Sequence, residues 1–556
     1  MKRVHEKGVR RRVLLATGLI CLIIVFGGFM VLPTGDFFLK VNKGIDVFGR
    51  VYKEIAANYV DEIDPEKFMQ SGINGMLEAL DPYTVFIDKD NGDEVDLLTN
   101  GKYGGIGVTI GARDGAIEVI TVMDGYSAQR QGIIPGDRVL EVDGVQVSSK
   151  RPEEVRSLTR GEPGTEVHIR IKREGEPEPI SFVLVREEIQ VKNVTYAEYV
   201  EKGIGYIRLE RFSRKAGEEL RLAVKDLKLK GELKGVVLDL RGNPGGLLDA
   251  AVDVVSKFVP KGSLVVTTRG RRSDAEKNFS STEEPLLPTV PVLVLTNRGS
   301  ASASEIVSGA LQDLDRALIV GTRTFGKGLV QTIVPLNYGS QLKITTARYY
   351  VPSGRSIQEI DYLHKDKNGV FTIVPDSLRH EFKTANGRKV YELGGIKPDS
   401  TVEEEDRGPM VKELHRKALF FRFANKYVLE HKGESIEGVS DQILEAFRQY
   451  LAEQKFDYQE HAETAIQELK LTAAKSRYSK EVLDRFDALK AALQKEKSRA
   501  FERYKNHIRY ELDVELMARV HGERGRIEAS LKDDPQVRTA ITLLTDAKLY
   551  KKKINP

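Results

Sequence analysis

The sequence feature that most constrains the fold is an alternation of apolar strand-like runs with helical stretches through the middle of the chain. Apolar runs at residues 203–209, 235–240 and 291–296 are separated by longer segments with helical character. Such alternation predicts a β-sheet covered by helices. Because loops at the ends of strands usually carry functional residues in this architecture, functional residues are expected in these loops.

A run of serines follows the third of these strands. The sequence Gly-Ser-Ala-Ser-Ala-Ser-Glu occupies residues 299–305, and small and apolar residues typical of a packed helix follow it. At a strand-to-helix junction, free amides and the positive end of the helix dipole favour negative charge. A serine nucleophile is therefore plausible here, although the same run also suits a small-residue helix start with an N-cap serine.

A serine nucleophile also needs a general base. The chain has no Gly-x-Ser-x-Gly and no His-Glu-x-x-His motif, and none of its nine His lies near these serines in sequence. Lys327, between Gly326 and Gly328, follows the apolar run 317–320. In an apolar site, desolvation lowers a lysine pKa from about 10.4 toward about 7 to 8. A neutral Lys327 could then take a serine's proton.

A phosphate-binding loop is the alternative interpretation of the same lysine. Residues 321–327 match Gly-x-x-x-x-Gly-Lys, but Gly328 stands where a Ser or Thr should hold magnesium. The β-branched run 329–334 predicts a strand, whereas a phosphate-binding loop must open a helix. The pattern therefore argues against a nucleotide site.

A second loop with chemical potential follows the strand at 235–240. It reads Arg-Gly-Asn-Pro-Gly-Gly over residues 241–246, and its paired glycines allow close backbone approach and an exposed amide. Such an amide suits an oxyanion donor. An ordinary tight turn is the competing interpretation.

Composition limits the classes of partner. The chain of 556 residues has 86 basic and 82 acidic residues, a formal charge of +4, so no nucleic-acid partner is indicated. Its single cysteine, Cys21, excludes an internal disulfide framework and a cysteine-based zinc site. The length allows several domains.

Residues 13–32 form the one membrane-like segment. They carry no charge, and about twenty residues can cross the roughly 30 Å core of a bilayer. The basic residues before them predict an N-terminus left in the cytoplasm and a body exported across the membrane. Because no small-x-small cleavage site follows, an uncleaved anchor is favoured over a cleaved signal.

Residues 97–187 resemble a PDZ domain. Glycines at 104, 105 and 107 open a strand, and further strands, a short helix near 152–158 and the alternating strand 167–171 follow in the expected order. Glycine-rich amides can capture the terminal carboxylate of a peptide, and the following strand offers an edge for β-augmentation.

The two ends of the exported part are helical in pattern. Apolar residues recur at three- and four-residue steps over 45–59, and Asp64-Pro-Glu begins a second helix. Beyond residue 403, apolar residues recur at similar steps amid dense charge, which predicts a helical tail. The tail is interpreted as a solvated appendage or as a surface for assembly or adaptor docking.

Several separated motifs, in this order, resemble the C-terminal processing, or tail-specific, serine peptidases, a family with a PDZ domain and a serine-lysine dyad. The resemblance covers about residues 47–399. Its motifs are Gly-Met-Leu-Glu-Ala-Leu-Asp-Pro-Tyr (75–83), the PDZ series, Asp-Leu-Arg-Gly-Asn-Pro-Gly-Gly (239–246), Ser-Ala-Ser-Ala-Ser-Glu-Ile (300–306), Phe-Gly-Lys-Gly-Leu-Val-Gln (325–331), Thr-Ala-Arg-Tyr-Tyr-Val-Pro-Ser-Gly (346–354) and Gly-Gly-Ile-Lys-Pro-Asp (394–399).

The resemblance implies roles for individual residues. The family's nucleophile corresponds to Ser302, its general base to Lys327 and its lysine-orienting amide to Gln331. The implied oxyanion hole is the amide of Ala303 with a glycine of the 245–246 pair, most plainly Gly245. The peptide groove of the PDZ domain is expected at Gly105, Ile106, Gly107, Val155 and Leu158. The chain departs from the family only near its Tyr-Glu-Leu-Gly-Gly run (391–395), away from the dyad.

These observations predict an α/β multidomain protein: a basic flank and transmembrane anchor (1–34), an N-terminal helical part of the peptidase core (35–96), an inserted, mostly β PDZ domain (97–187), the serine peptidase core (188–402) and a charged helical extension (403–556). The expected function is a membrane-anchored serine endopeptidase of the bacterial inner membrane. Its catalytic body would face the periplasm and recognise exposed C-terminal tails of protein substrates.

No metal or other cofactor is expected, the membrane is contacted through residues 13–32, and a homo-oligomer or an adaptor could use the C-terminal helices. The competing interpretation is a catalytically idle PDZ scaffold at the membrane.

Overall fold

The structure is a computed structural model and describes residues 34–88, 92–113, 115–148, 150–365, 371–373 and 375–555. The chain forms two compact units, residues 1–86 and residues 87–556. The predicted domain boundaries are finer than this division and stay predictions.

The first unit contains two helices, α1 (Thr34–Asn58) and α2 (Pro65–Leu77). Asp64 caps α2, because its Oδ1 accepts the amides of Glu66 and Lys67, and Pro65 occupies the first turn, where its missing N–H costs nothing. The predicted helix start at Asp64 is therefore confirmed. The predicted anchor at 13–32, with Cys21, lies outside the described residues, and none of the described helices is long and apolar enough to span a bilayer.

A short strand, β1, spans the division between the units, and a helix, α3, opens the second unit. The PDZ-like region follows with an antiparallel sheet in the order β3-β4-β5-β7-β8, β6 paired to β5, and a separate ribbon of β2 and β9. The bounds are β1 (Val85–Ile87), α3 (Gly92–Asn100), β2 (Lys102–Gly105), β3 (Val108–Arg113), β4 (Ala116–Val122), α4 (Ser127–Gln131), β5 (Arg138–Val142), β6 (Val145–Gln146), α5 (Pro152–Thr159), β7 (Glu166–Lys172), β8 (Ile180–Val185) and β9 (Glu187–Gln190).

The central sheet of the second unit has six strands in the order β10-β11-β12-β15-β16-β23. The β10 and β11 pair is antiparallel and all later neighbours are parallel. Its elements are β10 (Val194–Glu201), β11 (Ile204–Leu209), α6 (Ala216–Lys230), β12 (Gly235–Asp239), α7 (Leu248–Ser256), β15 (Val292–Thr296), α8 (Ala303–Asp313), β16 (Ala317–Gly321) and β23 (Ser400–Thr401). The predicted sheet covered by helices is confirmed.

A second sheet is antiparallel. In it β13 (Leu264–Gly270) pairs antiparallel with β14 (Lys277–Ser280) and with β18 (Gln341–Tyr350), and β18 pairs with β17 (Leu329–Pro335). Two small antiparallel pairs follow, β19 (Ile360–Lys365) with β20 (Phe371–Ile373), and β21 (Glu381–Lys383) with β22 (Lys389–Tyr391).

The chain after β23 is helical, as predicted. Its helices are α9 (Gly408–Arg416), α10 (Leu419–Glu430), α11 (Asp441–Glu453), α12 (His461–Lys475), α13 (Lys480–Lys497), α14 (Ala500–Arg503), α15 (Lys505–Val520), α16 (Gly522–Leu531), α17 (Pro535–Thr545) and α18 (Ala547–Ile554). Helices α9, α10, α11 and α15 share an apolar core of their own.

The last helices correct one interpretation of this tail. The central sheet is apolar on both faces: α6, α7 and α8 cover one face, and residues of α16, α17 and α18 cover the other. Val537, Leu543 and Tyr550 pack against strand residues such as Val237 and Leu293. A solvated appendage is therefore the wrong description for α16–α18, although it suits α13, which has no buried residue.

Candidate active site

Ser302 lies at the turn that leads from β15 into α8, with backbone angles φ 56° and ψ −113°. A non-glycine residue with positive φ is uncommon, and such strain persists only where the surrounding structure imposes it. An ordinary N-cap residue has extended backbone, so Ser302 occupies the N-cap position without its usual conformation. A sharp, strained strand-to-helix turn is how hydrolases expose a nucleophilic serine.

The other two serines of the motif have structural roles. Ser300 is fully buried, and its Oγ donates to the carbonyl of Leu240 (2.8 Å). Ser304 is also fully buried and donates to the carbonyl of Asn243 (2.9 Å). Ser302 alone among the three is partly exposed, so it is the one a substrate could reach.

Glu305, in the first turn of α8, connects the serine to the lysine loop. Its Oε2 accepts the backbone amides of Ser302 and Lys327, each at 2.8 Å. Its Oε1 accepts the hydroxyl of Thr324 (2.6 Å) and the amide of Gly326 (2.7 Å). The backbone amides of Ser302 and Lys327 thus donate to the same buried carboxylate oxygen, which holds the two residues close together.

The environment of Glu305 opposes its charge. The side chain is fully buried, and this desolvation raises the pKa of Glu305 to about 7, although the four donors around it act in the opposite direction. All four groups donate to the carboxylate, so a proton on either oxygen would displace one of these bonds. The ionised form fits the observed geometry.

Lys327 precedes β17 in a tight loop. Gly326 has φ +91°, and a Cβ there would lie 2.5 Å from Cβ of Glu359, so this position requires glycine. The hydroxyl of Tyr349 lies 2.6 Å from the carbonyl oxygen of Lys327 and 3.0 Å from that of Ser302. A second bridge therefore joins the two backbones. Since a strand follows this loop, a phosphate-binding loop is excluded.

Gln331 lies in β17, two residues after the strand begins. Its Nε2 donates to Oγ1 of Thr345 on the neighbouring strand β18 (3.1 Å). The proposed orienting role of Gln331 toward Lys327 stays a prediction.

The loop at 241–246 approaches Ser302 as expected. A Cβ on Gly245 would lie 2.9 Å from Cβ of Ser302 and 2.8 Å from the amide nitrogen of Ala303, so only glycine permits this approach. The amide of Ala303 donates to no acceptor among the described residues, which suits an oxyanion donor.

The assignment of Gly245 itself needs correction. Its amide donates to Oδ1 of Asn243 (2.9 Å), so the N–H expected to bind an oxyanion is already engaged within its own loop. Of the glycine pair, only the amide of Gly246 has no acceptor among the described residues. Gly246 is the better donor of the two.

The predicted PDZ groove residues come together beside an edge strand. Strand β3 ends its sheet, and α5 packs beside it. Ile106 and Val155 are buried, and Leu158 packs against the same apolar cluster. Gly105 is buried as well, and Gly107 has φ +80°. The amides of Ile106 and Gly107 donate to no acceptor among the described residues, which leaves them available to a carboxylate.

Sequence reasoning missed two groups at the site. Glu305 ends the serine motif, and Ser-x-x-Glu before an apolar helix is a capping signal that could have pointed to its role. Tyr349 lies in the motif 346–354, but the motif does not indicate its contact with the dyad backbone, since that contact depends on the pairing of β18.

Comparisons with known proteins match four parts of the chain to known families. Residues 203–366 match Peptidase family S41, residues 118–173 match the PDZ domain, residues 410–544 match the C-terminal helical domain of a probable PDZ-protease, and residues 39–91 match the activating protease CtpB N-terminal domain.

Individual relatives are named as carboxy-terminal processing proteases. The carboxy-terminal-processing protease of Bartonella bacilliformis is 42% identical over 321 residues, which is 57% of this chain and 73% of that protein. Carboxy-terminal processing protease CtpB of Bacillus subtilis is 33% identical over 57% of this chain and 66% of its own length. A solved structure of the photosystem II D1 C-terminal processing protease is 26% identical, with a TM-score of 0.35, and the match covers 64% of this chain and 92% of that one.

Proposed function

Because the chain belongs to the carboxy-terminal processing protease family and is a serine-type peptidase, we propose that it cleaves proteins near exposed C-terminal tails by a Ser302–Lys327 dyad. The observation that carries this proposal is the buried carboxylate of Glu305, which holds the amides of Ser302 and Lys327 on one oxygen. The strained backbone of Ser302 supports the same assignment.

The reaction is acyl transfer. Neutral Lys327 takes the proton of Ser302 Oγ as this oxygen attacks the carbonyl carbon of the scissile bond. The amides of Ala303 and Gly246 stabilise the oxyanion. The lysine ammonium then gives its proton to the leaving amine, and an ester to Ser302 remains. Water, deprotonated by Lys327, attacks this ester and releases the new carboxylate and the serine.

The PDZ domain selects the substrate. The open amides of Ile106 and Gly107 bind the terminal carboxylate, and the peptide adds as a strand to the free edge of β3. Its last side chain enters the groove lined by Val155 and Leu158. A free C-terminus is thus part of the recognition.

The test uses the full chain in detergent with two forms of one unfolded substrate, one with a free apolar C-terminus and one with an amidated C-terminus. Products are mapped by mass spectrometry. We expect cleavage of the free form, slower cleavage of the amidated form, and none by Ser302→Ala. Equal rates on both forms would contradict tail recognition, and cleavage by Ser302→Ala would contradict Ser302 as the nucleophile. No cleavage by the parent chain would favour the idle-scaffold interpretation of the core.

The proposal includes a location. The apolar segment 13–32 and its basic flank favour a single-pass anchor with the catalytic body in the periplasm. Protease added to intact spheroplasts should digest the body of the chain, whereas protection until lysis would contradict this topology.

The predicted contact with an oligomeric partner or adaptor is assigned to the pair of helices α12 and α13. Leu469, Leu471 and Leu489 are 57%, 56% and 50% exposed there, which is unusual for leucine in clustered helices. Replacing all three by Gln should lower the mass measured by light scattering if this surface joins copies of the chain. An unchanged oligomer with unchanged activity in cells would refute the assignment.

A further inference from the structure

The start of helix α17 contacts the base of the loop at 241–246. Asp534 is the N-cap of α17, and its Oδ1 accepts the amides of Gln536 (2.8 Å) and Val537 (3.1 Å). Its other oxygen, Oδ2, accepts Nη1 of Arg241 at 2.6 Å. One carboxylate therefore caps the helix and binds an arginine that lies almost three hundred residues earlier in the chain.

Arg241 is the first residue of that loop. Its Nε lies 3.0 and 2.9 Å from the two carboxylate oxygens of Asp239, the last residue of β12, and its Nη2 donates to Oδ2 of the same residue at 2.6 Å. The side chains of Arg241 and Asp534 are 19% and 13% exposed, so the pair is partly shielded from water. Arg241 Nη1 also donates a hydrogen bond to Oε1 of Gln536 (3.1 Å).

Hydrogen bonds connect this loop to the residues beside Ser302. The carbonyl of Asn243 accepts the amide of Ala301 (3.0 Å) and the hydroxyl of Ser304 (2.9 Å), which are neighbours of Ser302 in sequence. Gly245 lies directly against Cβ of Ser302. A shift at Arg241 would therefore move the loop that faces the nucleophile.

We propose that Asp534 is a positioning residue for catalysis: from the C-terminal helices it holds Arg241, and Arg241 fixes the loop whose glycine amide stabilises the oxyanion. The C-terminal helices then contribute to the reaction as well as to the cover of the sheet. This inference rests on the proposed role of the loop in the peptidase reaction.

The test is Asp534→Asn in the full chain. Asparagine caps helices as well as aspartate does, so the variant keeps the cap and loses the charge that binds Arg241. The matched control is Asp546→Asn, because exposed Asp546 caps α18 in the same way through the amides of Lys548 and Leu549. Kinetics are measured on a short peptide, and amide hydrogen exchange is measured over residues 241–246.

We expect Asp534→Asn to lower kcat roughly tenfold to a hundredfold with little change in KM, since a small misplacement of a catalytic group costs about this much. Exchange in the loop should be faster, while Asp546→Asn matches the parent protein in both measurements. Asp534→Glu should recover part of kcat, because the charge returns.

Three results would overturn the proposal: a parental kcat in folded Asp534→Asn, an equal loss of kcat in Asp546→Asn, or unchanged exchange over residues 241–246. If the parent protein cleaves no peptide, the proposed function fails. The exchange comparison then still decides whether Asp534 holds the loop.

Discussion

The two faces of the central sheet are covered in different ways. Helices α6, α7 and α8 on one face alternate with the strands in sequence, and α8 brings Ser302 to the site. The opposite face is covered by α16, α17 and α18 from the end of the chain, and they add no residue of the proposed dyad. The helices of one face therefore carry most of the catalytic residues, and the helices of the other face mainly stabilise the sheet.

The strand order explains this division. From β11 onward the parallel strands are added in one direction, β11-β12-β15-β16-β23. Since crossovers between parallel strands are nearly always right-handed, every helix between these strands falls on the same face. Strands β12, β15 and β16 are nevertheless buried throughout. A parallel sheet needs cover on both faces, so another part of the chain has to supply it.

The largest expected difference between the faces is catalytic. Ser302→Ala and Lys327→Ala should each lower kcat/KM at least about a thousandfold, because each removes a member of the reacting pair. Their unfolding free energies should stay within about 1 kcal/mol of the parent value. Peptide cleavage and urea unfolding check both statements. The companion variant Ser300→Ala keeps Ser302, so a complete loss of activity in the folded Ser300→Ala protein would reopen the choice of nucleophile.

The opposite face should show the reverse pattern. Leu543→Ala on α17 deletes a side chain that is 3% exposed, and such a cavity should cost about 2 to 5 kcal/mol of unfolding free energy. The matched change Leu489→Ala on α13, where leucine is 50% exposed, should cost less than about 0.5 kcal/mol. Urea unfolding measures both. Equal costs would mean that α17 is as dispensable as α13.

The protonation of Glu305 should affect both the stability of the fold and the rate of cleavage. Its pKa is about 7 in the folded protein against an ordinary 4.5, so the folded state binds the proton more tightly than the unfolded chain does. The resulting stability is complete below pH 4.5 and is lost as the pH rises through 7, by up to about 3 kcal/mol. Cleavage should change in the opposite direction, because the ionised carboxylate holds the Ser302 and Lys327 amides.

The measurement compares the parent protein with Glu305→Gln between pH 5 and 8. Unfolding free energy should fall less steeply with pH in the variant, which has no proton to release, and cleavage at pH 8 should be about tenfold slower or worse. Glu481→Gln, with a 76% exposed side chain, serves as the control. An identical pH slope in parent and Glu305→Gln would show that Glu305 does not titrate in this range.

The sequence allowed prediction of what depends on local pattern. The sheet with helices, the PDZ order and the strand after Lys327 follow from runs and motifs that are each local in the chain. The proximity of Gly245 to Ser302 came only from the family resemblance, because the two residues lie far apart in sequence. The packing of α17 on the sheet does not, because it depends on strand order. The hydrogen bond of the Gly245 amide could not be predicted from the sequence either, since its acceptor is the side chain of Asn243.

The smallest expected effect concerns the backbone of Ser302. At φ 56° and ψ −113° a side chain is strained, whereas glycine adopts this conformation readily. Ser302→Gly should therefore be inactive yet more stable than Ser302→Ala, by about 1 kcal/mol, because only glycine relieves the strain. Glycine also gains freedom in the unfolded chain, which works against this gain and makes any stabilisation informative. Thermal unfolding of the two variants side by side decides the point. If Ser302→Gly is less stable than Ser302→Ala, the strain in the turn into α8 is smaller than the cost of the freedom that glycine gains in the unfolded chain, and the expected gain of about 1 kcal/mol is wrong.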